Sequence, residues 1–157
     1  MRVLSCPLLV VHSPEHEFVN PVSQEISLKK ILVGCDFSSD SNLALEYGLG
    51  LAQEYQADLY LVHVLEPPSY KDLPKSVHGA REQIGKSLHK KLKDQLEELV
   101  PEEAYNWCKP KTRLLSGVAQ EELVKFADVQ DIDLLILGVR GTSLVESMFI
   151  GSTTERV

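Results

Sequence analysis

Short apolar runs that alternate with longer amphipathic stretches constrain the fold of this chain more than any other feature. The runs cover residues 30–35, 59–65, 112–115 and 133–137, and the third is the weakest of them. Their length and their content of bulky apolar residues are typical of strands buried on both faces of a parallel sheet. Between the runs, apolar residues recur at helical spacing, and the predicted helices cover residues 40–56, 77–99 and 119–129.

The same periodicity predicts which helical side chains face the core. In the first helix these are Leu43, Ala44, Tyr47, Leu51 and Tyr55. In the second they are Ile84, Leu88, Leu92, Leu96 and Leu99, and in the third Leu123, Val124 and Ala127. Trp107 lies in an irregular stretch, and we expect it to pack against the domain.

Strands that alternate with helices at this spacing form right-handed crossovers, which predicts an α/β fold with an open, Rossmann-like parallel sheet and helices on both faces. In such sheets a ligand binds at the carboxyl ends of the strands, where the strand order reverses. We therefore expect the turns that follow residues 31–35 and 133–137 to flank the binding site.

Length, charge and cysteine content narrow the class of protein. At 157 residues the chain is long enough for one domain with a single substantial core. Its net charge of −7 argues against a nucleic-acid partner. No apolar run approaches the roughly 20 residues of a membrane span. Three cysteines without C-x-x-C spacing predict neither a disulfide framework nor a zinc site, and a cytoplasmic location is the simplest expectation.

A glycine-rich stretch follows the last apolar run. Gly138, Gly141 and Gly151 allow sharp turns and close approach to a ligand. Ser152 and Glu155 then form the S-x-x-E pattern of a capping box, which predicts a helix whose N-terminal amides point back toward the glycines. The combination predicts a phosphate site; the alternative is that the glycines only form turns and Ser152 only caps a helix.

The spacing Gly138-x2-Gly141-x9-Gly151-Ser152 resembles the signature of the ATP-binding branch of the universal stress protein family, and the likeness extends over about residues 29–157. The resemblance implies an adenine nucleotide alpha hydrolase-like fold that binds ATP or AMP, with Mg²⁺ or Mn²⁺ as the accompanying ion. It places Gly138, Arg140 and Gly141 along the ribose and phosphates. The phosphate-binding turn would consist of Gly151, Ser152, Thr153 and Thr154. For Arg140, pairing with a phosphate and a solvent-facing turn are equal alternatives.

Two earlier turns complete the predicted site. Asp36 follows the first core strand, where its carboxylate could accept hydrogen bonds from a ribose or help to hold a metal ion; its alternative role is as an N-cap or turn residue. The segment that begins at Gly34 resembles the family segment along the adenine and ribose, and Val64 matches a position whose backbone contacts adenine. His63 is predicted to be a satisfied core histidine, not a catalyst. The pair Gly48 and Gly50 lacks the third glycine of a dinucleotide fingerprint.

The N-terminal segment predicts an unusual strand order. Residues 1–13 read as a strand, 14–28 as a linker and 29–157 as the main domain. The stretch Ser5-Cys6-Pro7 and the apolar residues after it resemble the last strand of the family, which predicts a five-stranded sheet whose final position is filled by this segment, in its own sheet or in a partner's by swapping. The alternative is a chance apolar arm.

The resemblance implies a nucleotide-dependent sensor or regulator in the stress response, acting as a homodimer. We expect binding without fast catalysis, because no general base stands out beside the phosphate motif. Two alternatives stay open. One is a slow ATPase or nucleotidyl-transferring enzyme on the same fold, and the other is a nucleotide-free structural half of a tandem or dimer.

Overall fold

The computed structural model describes residues 19–20, 22–66 and 78–139. The strands are β1 (Lys30–Gly34), β2 (Asp58–Leu65), β3 (Lys111–Ser116) and β4 (Leu134–Ile136). The helices are α1 (Ser39–Tyr55), α2 (His78–Glu98) and α3 (Ala119–Gln130), with a short 3-10 helix at Glu102–Asn106. Each predicted core element among the described residues is present, with ends that differ by at most one residue. The strand predicted at residues 1–13 lies outside the described residues.

The four described strands form one parallel sheet in the order β3-β2-β1-β4. The chain adds β2 and β3 on one side of β1 and then crosses to its other side, where Ile31 pairs with Leu134 and Val33 with Ile136. The strand order therefore reverses between β1 and β4, and we call this place the switch point. The turns that follow these two strands were predicted to flank it, and they do. The parallel α/β class is confirmed, while the fifth strand stays a prediction.

Alternate residues of the central strands build two cores, one on each face of the sheet. Ile31, Val33 and Leu61 face α1 and the end of α2, whereas Leu32 and Val62 face α3. All five side chains are almost completely buried. Each such burial contributes about 1.5–3 kcal/mol before the entropy cost of ordering is subtracted. Helices on both faces keep both sets of side chains out of water, which explains the continuous apolar runs in the sequence.

The inward face of α1 agrees with the predicted one at Ala44, Leu51 and Tyr55 and differs at two positions. Leu43 and Tyr47 are 52% and 50% exposed, so their assignment to the core was wrong. The helix instead packs on a face of mostly small residues, which consists of Ser41, Ala44, Leu45, Gly48 and Ala52. A Cβ at Gly48 would lie 2.5 Å from Val33 Cγ2, so glycine permits the closest approach of helix to sheet.

Two inward assignments in α2 and α3 were also wrong, because Leu88 is 41% and Val124 39% exposed. In α3 the aromatic ring of Phe126 takes the inward place and meets Tyr60 edge-on. The predictions for Leu96, Leu123, Ala127 and Trp107 are confirmed by their packing against the two cores. Within the described ranges, no helix has both the length and the apolar character that a membrane span needs.

A single carboxylate joins the start of β1 to the start of β4. Asp133 Oδ2 accepts hydrogen bonds from the backbone amides of Lys29 and Lys30, each at 2.8 Å. In the same corner, Lys30 Nζ donates to the carbonyl of Gln130 at 2.7 Å. These bonds hold the two strands side by side, and so they hold the switch point at the opposite, carboxyl end of the same strands.

Candidate functional site at the ends of β1 and β4

The turn after β1 is built around Asp36 and Ser38. The Cys35 amide still donates to Val62 O at 2.8 Å, which extends the strand pairing by one residue. The chain then turns, and Asp36 Oδ1 accepts a hydrogen bond from the Ser38 amide at 3.0 Å. Ser38 has extended φ and ψ angles and is the N-cap of α1, accepting from the Ser41 amide through its hydroxyl oxygen at 3.1 Å. Of the two structural roles considered for Asp36, the structure therefore shows the turn and not the cap.

The buried hydroxyl of Ser41 stabilises this turn by hydrogen bonds to its backbone. Ser41 is 3% exposed, and its Oγ donates to Ser38 O at 3.0 Å and accepts from the Asp36 amide at 3.4 Å. The cap and the buried hydroxyl are contributions that sequence reasoning missed. Their signal was available, since Ser38 stands immediately before a helix and serine is among the preferred N-cap residues.

His63 holds the same turn from β2. Its Nδ1 lies 2.7 Å from Cys35 O, and since a carbonyl only accepts, Nδ1 carries the proton. Its ring also lies 4.7 Å, centroid to centroid, from the ring of Phe37, whose φ of 64° is left-handed. Such a backbone costs about 1–3 kcal/mol for a bulky residue and persists only where its surroundings hold it. The prediction of a hydrogen-bonded histidine is confirmed, but His63 is half-buried and lies outside the two cores.

Gly138 brings the turn after β4 against the start of α1. A Cβ at this position would lie 2.7 Å from the carbonyl carbon of Asp40 and 2.8 Å from the Ser41 amide nitrogen. Backbone atoms cannot move aside as a flexible side chain can, so only glycine fits here. The chain leaving β4 thus crosses the first turn of α1, directly beside the turn that carries Asp36.

The remaining predicted site residues divide into two groups. A Cβ at Gly34 would lie 2.5 Å from Leu137 Cδ2, so side-chain packing accounts for glycine there. Val64 is half-buried at the carboxyl end of β2 and packs on the α3 side. The structure therefore brings Gly34, Asp36, Val64 and Gly138 to one edge of the sheet. The predictions for Arg140, Gly141, Gly151, Ser152, Thr153 and Thr154 lie outside the described residues.

A helix dipole and two carboxylates set the electrostatic character of this edge. The amino end of α1 carries the positive end of its helix dipole, and Asp36 and Asp40 lie around it. Burial raises the pKa of the Cys35 thiol, so the group is a neutral thiol at neutral pH. No cluster of three or more metal-ligating side chains occurs among the described residues. A carboxylate such as Asp36 is a suitable ligand for a magnesium ion that takes its other ligands from phosphate and water.

Comparison with known proteins agrees with this architecture. Residues 27–157 match the universal stress protein family. The chain is similar to universal stress protein MJ0531 of Methanocaldococcus jannaschii, with 32% identity over 130 residues. The aligned residues cover 82% of this chain and 75% of that protein.

Two solved structures share the fold. Protein MJ0577 of the same organism superposes with a TM-score of 0.70 at 27% identity, covering 84% of this chain and 89% of that one. The universal stress protein UspA from Lactobacillus plantarum gives a TM-score of 0.73 at 23% identity, covering 85% and 92%. Sequence, fold and family match agree, and this chain belongs to the universal stress protein family.

Proposed function

We propose that the chain binds an adenine nucleotide, ATP or AMP, and acts as a nucleotide-dependent sensor or regulator. The observation that carries the proposal is the contact of Gly138 with the first turn of α1, at the point where the strand order reverses. The contact brings Gly138 close to the turn that carries Asp36, at the edge where open parallel sheets bind their ligands.

The predicted residues other than Gly34 have the following roles in the proposed complex. Asp36 would accept hydrogen bonds from the ribose hydroxyls, and the backbone of Val64 would border the adenine at the end of β2. The amides of the glycine motif from Gly138 to Thr154 would receive the phosphates, because backbone N–H groups at a helix N-terminus favour anions. A Mg²⁺ or Mn²⁺ ion would neutralise phosphate charge, with Asp36 as a candidate protein ligand.

The ligand class has one further support from proteins of this fold. A universal stress protein that superposes with a TM-score of 0.57 at 20% identity, covering 83% of this chain, was solved in complex with cAMP. At this identity the likeness concerns the fold alone. It indicates that a sheet of this topology can accommodate an adenine nucleotide.

We propose a regulatory role without fast catalysis. A general base must reach the proton that it removes. His63, on β2, is engaged with the turn through its Nδ1 proton on Cys35 O and its ring contact with Phe37, and we assign it a structural role. We propose slow turnover at most, in a cytoplasmic homodimer.

A ligand titration against thermal stability tests the proposal. A ligand that binds only the folded state stabilises it by about 2.7 kcal/mol at 100 times its dissociation constant. We expect ATP with magnesium to raise the melting temperature, and GTP at the same concentration to raise it less. An unchanged melting temperature at millimolar ATP would contradict nucleotide binding.

Turnover is measured in the same samples. Phosphate release by the wild type and by Asp36→Ala is compared over several hours. A rate near background in both proteins agrees with a binding protein. A clear rate that disappears in Asp36→Ala would show an enzyme instead.

A further inference from the structure

His63 contacts both residues that flank Asp36, and it does so by two different interactions. Its Nδ1 donates to the carbonyl of Cys35, the residue before Asp36, at 2.7 Å. Its ring packs against the ring of Phe37, the residue after Asp36, with centroids 4.7 Å apart and planes at 51°. The imidazole therefore contacts the turn on both sides of Asp36.

The backbone of this turn needs such support. Phe37 has a φ of 64°, a region that bulky residues rarely adopt, so nothing in its own conformational preference keeps it there. The Cys35 amide remains in the strand pairing through Val62 O, whereas the Cys35 carbonyl accepts from a side chain. The direction of Asp36 is set between these two neighbours.

We infer that His63 is a positioning residue for nucleotide binding, which acts through the Cys35–Phe37 turn to hold the Asp36 carboxylate toward the ribose. The inference rests on the proposed function and deepens it, because it assigns a role at the same site to a side chain on a different strand. His63 does not itself contact the nucleotide in this assignment. The contribution of His63 must therefore disappear when Asp36 is absent.

Two substitutions separate the interactions of His63. His63→Phe keeps an aromatic ring against Phe37 but removes the donor to Cys35 O. His63→Asn removes the ring but keeps an amide N–H at the position of Nδ1. The control is His89→Phe, which changes an exposed histidine on α2.

The first measurement is the affinity for ATP with magnesium by calorimetry. We expect His63→Phe to weaken binding by about five- to tenfold, the factor that corresponds to the net free energy of one hydrogen bond. His63→Asn should recover part of that loss, and His89→Phe should bind as the wild type does. In an Asp36→Ala background, His63→Phe should change the affinity by less than about twofold, since mutations that act through one contact are not additive.

The second measurement needs no ligand, and it separates a failure of this inference from a failure of the proposed function. Amide exchange of Ser38, which donates to Asp36 Oδ1, should be faster in His63→Phe than in His63→Asn, with β1 amides unchanged. If the wild type binds ATP and His63→Phe binds equally well, the inference is overturned. Equal losses with and without Asp36 also overturn it, because they would show a general structural effect. If the wild type binds no nucleotide, the proposed function fails, and unchanged Ser38 exchange would then overturn the positioning role as well.

Discussion

At the scale of single residues, three glycines permit close packing because they carry no Cβ atom. Gly138 lies against backbone, Gly34 against the far end of Leu137, and Gly48 against Val33. The neighbour decides the consequence of adding a methyl group, because a flexible side chain can rotate away and a backbone cannot. Gly138, a glycine of the predicted phosphate motif, is thus also required by the packing of the chain after β4 against α1.

Gly138→Ala should destabilise the protein by about 1–3 kcal/mol, the usual cost of overpacking, and should weaken ATP binding as the two turns separate. Urea denaturation and calorimetry measure the two effects. Val139→Ala, at the exposed neighbouring position, is the control and should change neither. Wild-type stability in Gly138→Ala would contradict the close backbone contact.

Lys111 contributes stability that depends on pH. The Lys111 Nζ donates to Asp58 Oδ2 at 2.7 Å and to the hydroxyl of Tyr60 at 3.1 Å. These contacts, mainly the hydrogen bond to Asp58, raise the pKa of Lys111. A lysine with a raised folded pKa stabilises the fold fully below its unfolded value of about 10.4, and the effect is lost as the pH rises through the folded pKa. The melting temperatures of the wild type and Lys111→Met should therefore differ by a constant amount from pH 7 to 9 and converge at higher pH. The contribution is small, since both side chains are about one-third exposed.

At the scale of elements, small residues in α1 and one carboxylate before β4 decide how the pieces meet. The helix uses Ala44, Gly48 and Ala52 to reach the sheet, while Leu43 and Tyr47 remain half-exposed. Asp133 satisfies two backbone amides at the start of β1. Neither contact follows from periodicity, because periodicity reports which residues share a face and not how near that face comes to its partner.

Two glycines in α1 should respond with opposite signs to the same substitution. Gly48→Ala places a methyl group 2.5 Å from Val33 Cγ2, and we expect a loss of about 1–3 kcal/mol from overpacking. Gly50 is exposed with open space at its Cβ position, so Gly50→Ala should stabilise the helix by about 0.5–1 kcal/mol. Chemical denaturation measures both, and equal effects would contradict the orientation of α1.

Asp133→Ala should remove about 1–3 kcal/mol of stability, because it leaves the amides of Lys29 and Lys30 without their acceptor. Asp133→Asn keeps an oxygen at the same place and should cost less. Amide exchange at Lys30 should accelerate in the alanine variant before that of the β2 amides. A loss that is equal in both variants would show that the negative charge matters, and not the acceptor.

At the scale of the whole molecule, the open question is what lies beside β4. The described residues place β4 next to β1 on one side, and its three residues are only half-buried. Our proposal is that residues 1–13 supply the adjacent strand, within the chain or between two chains. Such an arrangement would link the stability of the switch point to the oligomeric state.

Removing residues 1–13 should therefore lower the melting temperature and change the mass measured by sedimentation. Leu9→Asp, which interrupts the apolar run, should act in the same direction. Val22→Asp is the matched control, because Val22 is 92% exposed. Unchanged stability and mass after the deletion would identify the segment as a chance apolar arm.

The sequence alone was sufficient for the parallel α/β class, for the positions of the core helices and strands in the described residues and for the edge of the sheet at which β1 and β4 meet. These properties depend on local composition and on the rules that govern parallel strands, both of which can be read along the chain. The glycine spacing by itself also indicated the family, because it is a pattern of residue types along the chain.

Only the tertiary structure decided which side chains of α1 lie closest to the sheet. It also decided the contacts of His63 with Cys35 and Phe37, and the backbone contact that requires glycine at position 138. Each of these features joins residues that are distant in sequence or depends on a separation of a few ångströms between two packed elements. A sequence pattern records which side chains are apolar or small, whereas the contacts they make are set by how closely the elements pack.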